Sequence, residues 1–109
     1  MRTVPITARI TMPGSARKGE VVPVRVLVRH AMERAANAPG VAPTPRKILH
    51  TFLVTYGGDE IFRMELSPGI TANPYVEFTT VAAESGTLVF EWHEDGGAIY
   101  RREAQLDVT

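Results

Sequence analysis

The chain has 109 residues, with 12 Lys+Arg balanced by 12 Asp+Glu and a pI near 6.8. That length suits one domain over residues 1–109, and zero net charge offers no cationic excess for neutralising phosphates, which argues against a nucleic-acid partner, and none is expected. The absence of cysteine excludes disulfides, thiolate metal sites, Fe–S clusters and thiol catalysis within this chain.

No stretch approaches the ~20 apolar residues of a membrane helix, so no membrane association is expected. Residues 1–10, MRTVPITARI, lack the apolar region of a signal peptide. The expectation is a chain that is cytoplasmic, already processed, or exported by another route.

In chain order, Val4 to Met12 reads as a first strand, broken by Pro13-Gly14-Ser15. Lys18-Gly19-Glu20 turns into the clearest run, Glu20 to His30. There Val22, Val24, Val26 and Val28 alternate with Pro23, Arg25, Leu27 and Arg29, the pattern of a strand with one buried face. Pro23 predicts an edge position or a bulge early in that strand.

Ala31 to Arg46 contains Pro39, Gly40, Pro43 and Pro45 and is read as a long loop. A short helical turn over Glu33 to Ala38 is the alternative, because the prolines preclude a long helix. Loops of this length are functional or are surface loops without a task.

Ile48 to Tyr56 follows as a strand, with His50 placed on the face of Phe52 and Val54. Gly57-Gly58 predicts a tight hairpin turn. Ile61 to Leu66 returns, with Phe62, Met64 and Leu66 on one face and Ile61, Arg63 and Glu65 on the other; Ser67-Pro68-Gly69 ends it. Tyr75 to Val81, Thr87 to Trp92 and Ala98 to Val108 complete the series, the last two joined by Asp95-Gly96-Gly97. About seven short strands at regular spacing predict an all-β fold, an immunoglobulin-like antiparallel β-sandwich. Trp92 and the four phenylalanines are expected to supply most of its core.

Few residues suggest chemistry. His30 and Met32 form an H-x-M pair at a strand end, and residues i and i+2 share a face of an extended backbone. Imidazole and thioether suit Cu(I), but a third ligand would have to come from Met12, Met64 or a distant histidine. The alternative is a surface histidine beside a packed methionine, and neither a metal nor any other cofactor is expected. His93-Glu94-Asp95 could place a base beside a carboxylate, yet Asp before Gly is ordinary turn chemistry and the turn is the preferred reading. His50 is read as a strand-end or interface histidine. Ser15, Ser67 and Ser85 lie in turn contexts, and no nucleophile elbow or phosphate-cradling loop is present. An enzyme acting alone would need an assembled nucleophile, base and oxyanion site, which the sequence does not offer.

Several ordered segments resemble those of the SoxZ family, one half of the SoxYZ carrier of thiosulfate oxidation. They are Ala16-Arg17-Lys18-Gly19-Glu20, His30-Ala31-Met32-Glu33, Pro45-Arg46-Lys47-Ile48, Val54-Thr55-Tyr56 with Gly58, Ile61-Phe62-Arg63, Ala72-Asn73-Pro74-Tyr75 with Phe78, Ser85-Gly86-Thr87-Leu88, Phe90-Glu91-Trp92 and Asp95-Gly96. The resemblance runs from Ala8 to about Tyr100.

It implies a non-catalytic immunoglobulin-like subunit in a periplasmic heterodimer with a SoxY subunit, co-exported with it. The SoxY cysteine, near its C-terminus on a Gly-rich arm, holds the sulfur intermediate while sulfur-oxidising enzymes dock transiently. On this reading the partner interface includes His30, Met32, Glu33, Arg46, Asn73, Pro74 and Tyr75. Tyr75 is the candidate anchor, since tyrosine is enriched at interface hot spots; partial core burial is its alternative. Ala31 stands where the family has proline, and Leu49-His50-Thr51 where it has Ile-Asn-Arg. A divergent SoxZ-like subunit of a dehydrogenase-associated system, or a stand-alone β-sandwich interaction module, are the other readings.

Overall fold

A computed structural model describes residues 6–30, 36–38, 41–44, 49–66 and 75–109. Among these residues there are ten strands and no helix. They are β1 (Ile6–Thr11), β2 (Ser15–Ala16), β3 (Val21–His30), β4 (Ala36–Ala38), β5 (Val41–Thr44), β6 (Leu49–Tyr56), β7 (Asp59–Glu65), β8 (Tyr75–Val81), β9 (Gly86–Glu94) and β10 (Ile99–Val108).

Seven of the ten are the strands expected from the alternation. They form two facing sheets, ordered β1-β3-β8 and β2-β10-β9-β6-β7, which is the immunoglobulin-like sandwich. The two-residue β2 is an addition to that scheme: it pairs in parallel with the end of β10, Ser15 opposite Asp107 and Ala16 opposite Val108. The segment read as a loop or helical turn is corrected by β4 and β5, which pair antiparallel with an irregular register. Prolines and alanines concealed this ribbon, because neither gives the period-2 signal of a half-buried strand.

Alternation places the core. Val22, Val24, Val26 and Val28 of β3 face Phe52 and Val54 of β6, Leu88, Phe90 and Trp92 of β9, and Leu106 of β10, all at most 2% exposed. Phe52 lies between Trp92, with ring centroids 5.1 Å apart, and Phe90, at 6.5 Å. The aromatic expectation holds for these three. Phe62 and Phe78 are only half-buried. They stack on each other at 4.5 Å and 7°, closing the flank between β7 and β8, the last strands of their respective sheets.

Pro23 is also corrected. β3 is central in its sheet, not an edge strand. However, β1 ends opposite Arg25, so at Pro23 the strand is paired only with β8. A missing N–H is harmless where one side of the ladder has already stopped.

One end of the sandwich is tied by turns. Gly57 and Gly58, at φ 59° and 90°, join β6 to β7 in a conformation that a side chain would strain. The Tyr56 hydroxyl accepts the backbone N–H groups of Ala83 and Glu84, each at 3.3 Å, and donates to the carbonyl of Glu84. Gly86 leaves room for this ring, since a Cβ there would stand 3.3 Å from its Cε1.

Candidate functional site

Antiparallel pairing brings seven strand ends to the opposite end of the sandwich, β1 beginning there at Ile6. β3 ends there at His30 and β8 begins at Tyr75; β6 begins at Leu49, β7 ends at Glu65, β9 ends at Glu94 and β10 begins at Ile99. Of the seven candidate interface residues, His30 and Tyr75 fall among the described residues. Met32, Glu33, Arg46, Asn73 and Pro74 lie outside them.

His30 closes β3 opposite Ile6, and Tyr75 opens β8 opposite Leu27. Both therefore stand at the same end of the three-stranded sheet. Tyr75 is 57% exposed, so the alternative of core burial fails. Its hydroxyl donates to Glu77 Oε2 at 3.0 Å, the same oxygen that Arg25 Nε reaches at 3.0 Å. That hydrogen bond to Glu77 pushes the Tyr75 phenol above its ordinary value.

A polar cluster that the sequence did not single out lies on the outer face of the five-stranded sheet. Its origin is a bulge. Leu49 pairs with Glu94 but Thr51 pairs with His93, so His50 is the extra residue. The bulge turns His50 outward to solvent, correcting its assignment to the face of Phe52 and Val54. Its Nδ1 lies 2.8 Å from Thr51 Oγ1, which in turn donates to Glu65 Oε2 at 3.1 Å. The His50 and His93 rings meet edge-on, with centroids 6.3 Å apart.

His93 Nε2 lies 3.2 Å from Glu91 Oε1, while Arg101 donates to Glu91 Oε2 through Nη2 at 2.6 Å and Nε at 3.2 Å. The carboxylate beside His93 is thus Glu91, two residues back on the same face, and not Glu94 or Asp95. Arg101, then burial acting in opposition, then His93 set the Glu91 carboxyl below its ordinary value. The register across the Asp95-Gly96-Gly97 turn puts Arg101 opposite Glu91. That pairing was available from the sequence once the turn was fixed.

Inside the same end, Glu94 is buried at 4% exposure and accepts the Tyr100 hydroxyl at 2.9 Å. Burial first, and then Glu94, push the Tyr100 phenol up to about 12.

Among the described residues, no three His, Cys, Asp or Glu side chains come together as a metal site. For the copper reading, Met12 is half-buried against the core and follows the end of β1 that lies away from His30, while Met64 packs against the core from β7. Neither thioether is presented at the end of β3. No helix of the described residues is long and apolar enough to cross a membrane.

The fold defines a class: two-sheet antiparallel β-sandwiches of the immunoglobulin-like type. Comparison of sequences matches the family described as sulphur oxidation protein SoxZ over residues 10–105. The chain belongs to the SoxZ family, and so to the carrier-related proteins of sulfur oxidation.

Comparison of structures finds the sulfur carrier protein SoxY from Chlorobium limicola f thiosulfatophilum at TM-score 0.64 and 22% identity, covering 94% of this chain and 78% of that one. A superoxide reductase (neelaredoxin) from Ignicoccus hospitalis aligns at TM-score 0.64 and 17% identity, over 94% and 80% of the two chains. The CARDB domain of the PF1109 protein from Pyrococcus furiosus aligns at TM-score 0.56 and 9% identity, over 97% and 96%. At these identities the likeness is one of fold. No curated protein sequence matches.

Proposed function

We propose that this chain is the non-catalytic subunit of a SoxYZ-type sulfur carrier. It pairs in the periplasm with a SoxY-type subunit, whose cysteine bears the sulfur intermediate during thiosulfate oxidation. Export with that partner accounts for the location. The observation that carries the reading is the family match over residues 10–105. The absence of cysteine from the chain agrees with it, because the sulfur must then travel on another subunit.

The physical role is that of a rigid body. A cysteine on a swinging arm must be delivered into the clefts of several enzymes, and a sandwich with a packed aromatic core gives the arm a fixed address. Residues 1–109 act as one unit in this role. The end of the sandwich holding His30 and Tyr75, with Met32, Glu33, Arg46, Asn73 and Pro74 in its connections, meets the SoxY-type subunit or the enzymes that dock transiently on the pair.

Co-expression of the tagged chain with a SoxY-type subunit from the same organism, followed by native mass spectrometry of the eluate, tests the proposal. A one-to-one complex is the expected result. A lone monomer, with the partner shown to be folded and present, overturns it and leaves a stand-alone β-sandwich interaction module.

A further inference from the structure

The two outer faces of the sandwich differ in kind. On the five-stranded sheet, Glu65, Glu91 and Glu103 stand with Arg63 and Arg101. Glu91 with Arg101 and Arg63 with Glu65 are already ion pairs. Both arginines of this face are matched, while Glu103 has no ion-pair partner among the described residues and Ile99 is exposed.

On the three-stranded sheet, the odd-numbered residues of β3 point outward, opposite to its buried valines. Register places Arg9, Leu27 and Tyr75 in one transverse row across β1, β3 and β8. Arg25 lies beside this row and is matched by Glu77. Arg29 lies on its other side, opposite Thr7. Among the described residues neither Arg9 nor Arg29 has an acidic partner. Together with Thr7 and Leu27 they line a shallow cleft of about 270 Å³.

Exposed apolar side chains stand at both ends of the same sheet, Tyr75 at one and the paired Val21 and Val81 at the other. Of the four large apolar side chains most exposed among the described residues, Tyr75, Val21 and Val81 all belong to β3 and β8, and Val21 pairs directly with Val81. The outer edge of β8 carries no further strand among the described residues.

We infer that this face, centred on Leu27 and Tyr75 and flanked by Arg9 and Arg29, is the surface that binds the SoxY-type subunit. That subunit presents carboxylates to the two unmatched guanidiniums. The inference rests on the pairing proposed above and adds the face, the residues and the sign of the partner's charge.

An aromatic and an aliphatic side chain ringed by arginine have the composition of an interface hot spot. Unmatched cations at the rim steer an acidic partner and reject a basic one. The free edge of β8 continues the patch and offers main-chain groups to a partner strand. The opposite face also has an exposed apolar side chain, Ile99, and a free edge at β7, but its arginines Arg63 and Arg101 are both matched by carboxylates.

The test uses the full chain co-purified with the SoxY-type subunit of the same organism, with dissociation constants measured by titration. Three variants are compared with wild type: Arg9→Glu/Arg29→Glu, the milder Arg9→Gln/Arg29→Gln, and Glu103→Arg on the opposite face. Circular dichroism and thermal melting of each isolated chain establish that it is folded.

Charge reversal is expected to weaken binding by about a hundredfold and neutralisation by about tenfold, with Glu103→Arg within about twofold of wild type. Binding of wild type should weaken between about 0.05 and 0.5 M salt, and that dependence should flatten in the neutralised variant. If wild type pairs and both arginine variants pair equally well, the face assigned here is wrong while the carrier reading stands. If wild type itself does not pair with a folded partner, the carrier reading fails and takes this assignment with it.

Discussion

The Tyr100 hydroxyl donates a 2.9 Å hydrogen bond to the carboxylate of Glu94, which is only 4% exposed. A carboxylate taken out of water must find donors within the fold, and Tyr100 supplies one from the facing strand of the hairpin. Tyr100→Phe is expected to lower stability by about 1–3 kcal/mol in urea denaturation, because it removes a donor from a buried acceptor.

The same pair predicts an alkaline limit. The Tyr100 phenol in the fold titrates at about 12, above its ordinary 10.0. A raised value means that the fold favours the protonated phenol. The contribution is intact below pH 10 and fades as pH rises towards 12. Absorbance at the phenolate band should show a step near 12 in wild type that is missing in Tyr100→Phe.

Glu91 behaves in the opposite sense. Arg101 and His93 hold its carboxyl below the ordinary 4.5, so its contribution is present above that value and is lost as pH falls through the lowered one. Arg101→Gln should move the Glu91 carboxyl upward in an NMR titration. Stability near neutrality should change by less than about 1 kcal/mol, since the guanidinium side of the pair is solvent-exposed.

At the other end, Tyr56 ties the β8–β9 connection through Ala83 and Glu84. Tyr56→Phe should cost about 1–3 kcal/mol. Hydrogen exchange provides the sharper reading: the amides of Ala83 and Glu84 should lose protection well beyond the average for the chain.

Tyr75→Ala separates interface from core. The side chain is 57% exposed, so the melting temperature of the isolated chain should hardly move. Affinity for the SoxY-type subunit should fall by about tenfold or more if Tyr75 anchors the pair. Unchanged affinity in a titration would remove Tyr75 from the interface.

The main strands were legible because a half-buried strand writes its two faces into alternate positions. Val22 to Val28 marked β3, and the bounds of β8 coincide with the expected Tyr75 to Val81. What the alternation could not show was pairing. Nothing in Ser15-Ala16 announces a parallel partner in β10. Pro23 could not reveal that its strand is central but paired on one side only at that point. The outward turn of His50 depends on an irregularity in the β6–β9 ladder, which lies in two strands at once. Of the candidate interface, Tyr75 proved exposed, which its place in a strand pattern could not show. Arg9 and Arg29 went unmarked because their significance comes from having no partner across the sheet, which a single strand's pattern cannot express.

The bulge at His50 has a consequence for how this fold can vary. Leu49 and Phe52 both face inward, although an unbroken strand would set residues three apart on opposite faces. A chain lacking residue 50 would recover strict alternation with Leu49, Thr51 and Phe52 oriented as they are now. The inward side chains would keep their order, while the exterior would lose an imidazole and the backbone carbonyl that accepts the Leu66 N–H at 2.8 Å. Such a position lets a lineage add or discard a titratable group by a one-codon insertion or deletion, without repacking the aromatic core beneath it.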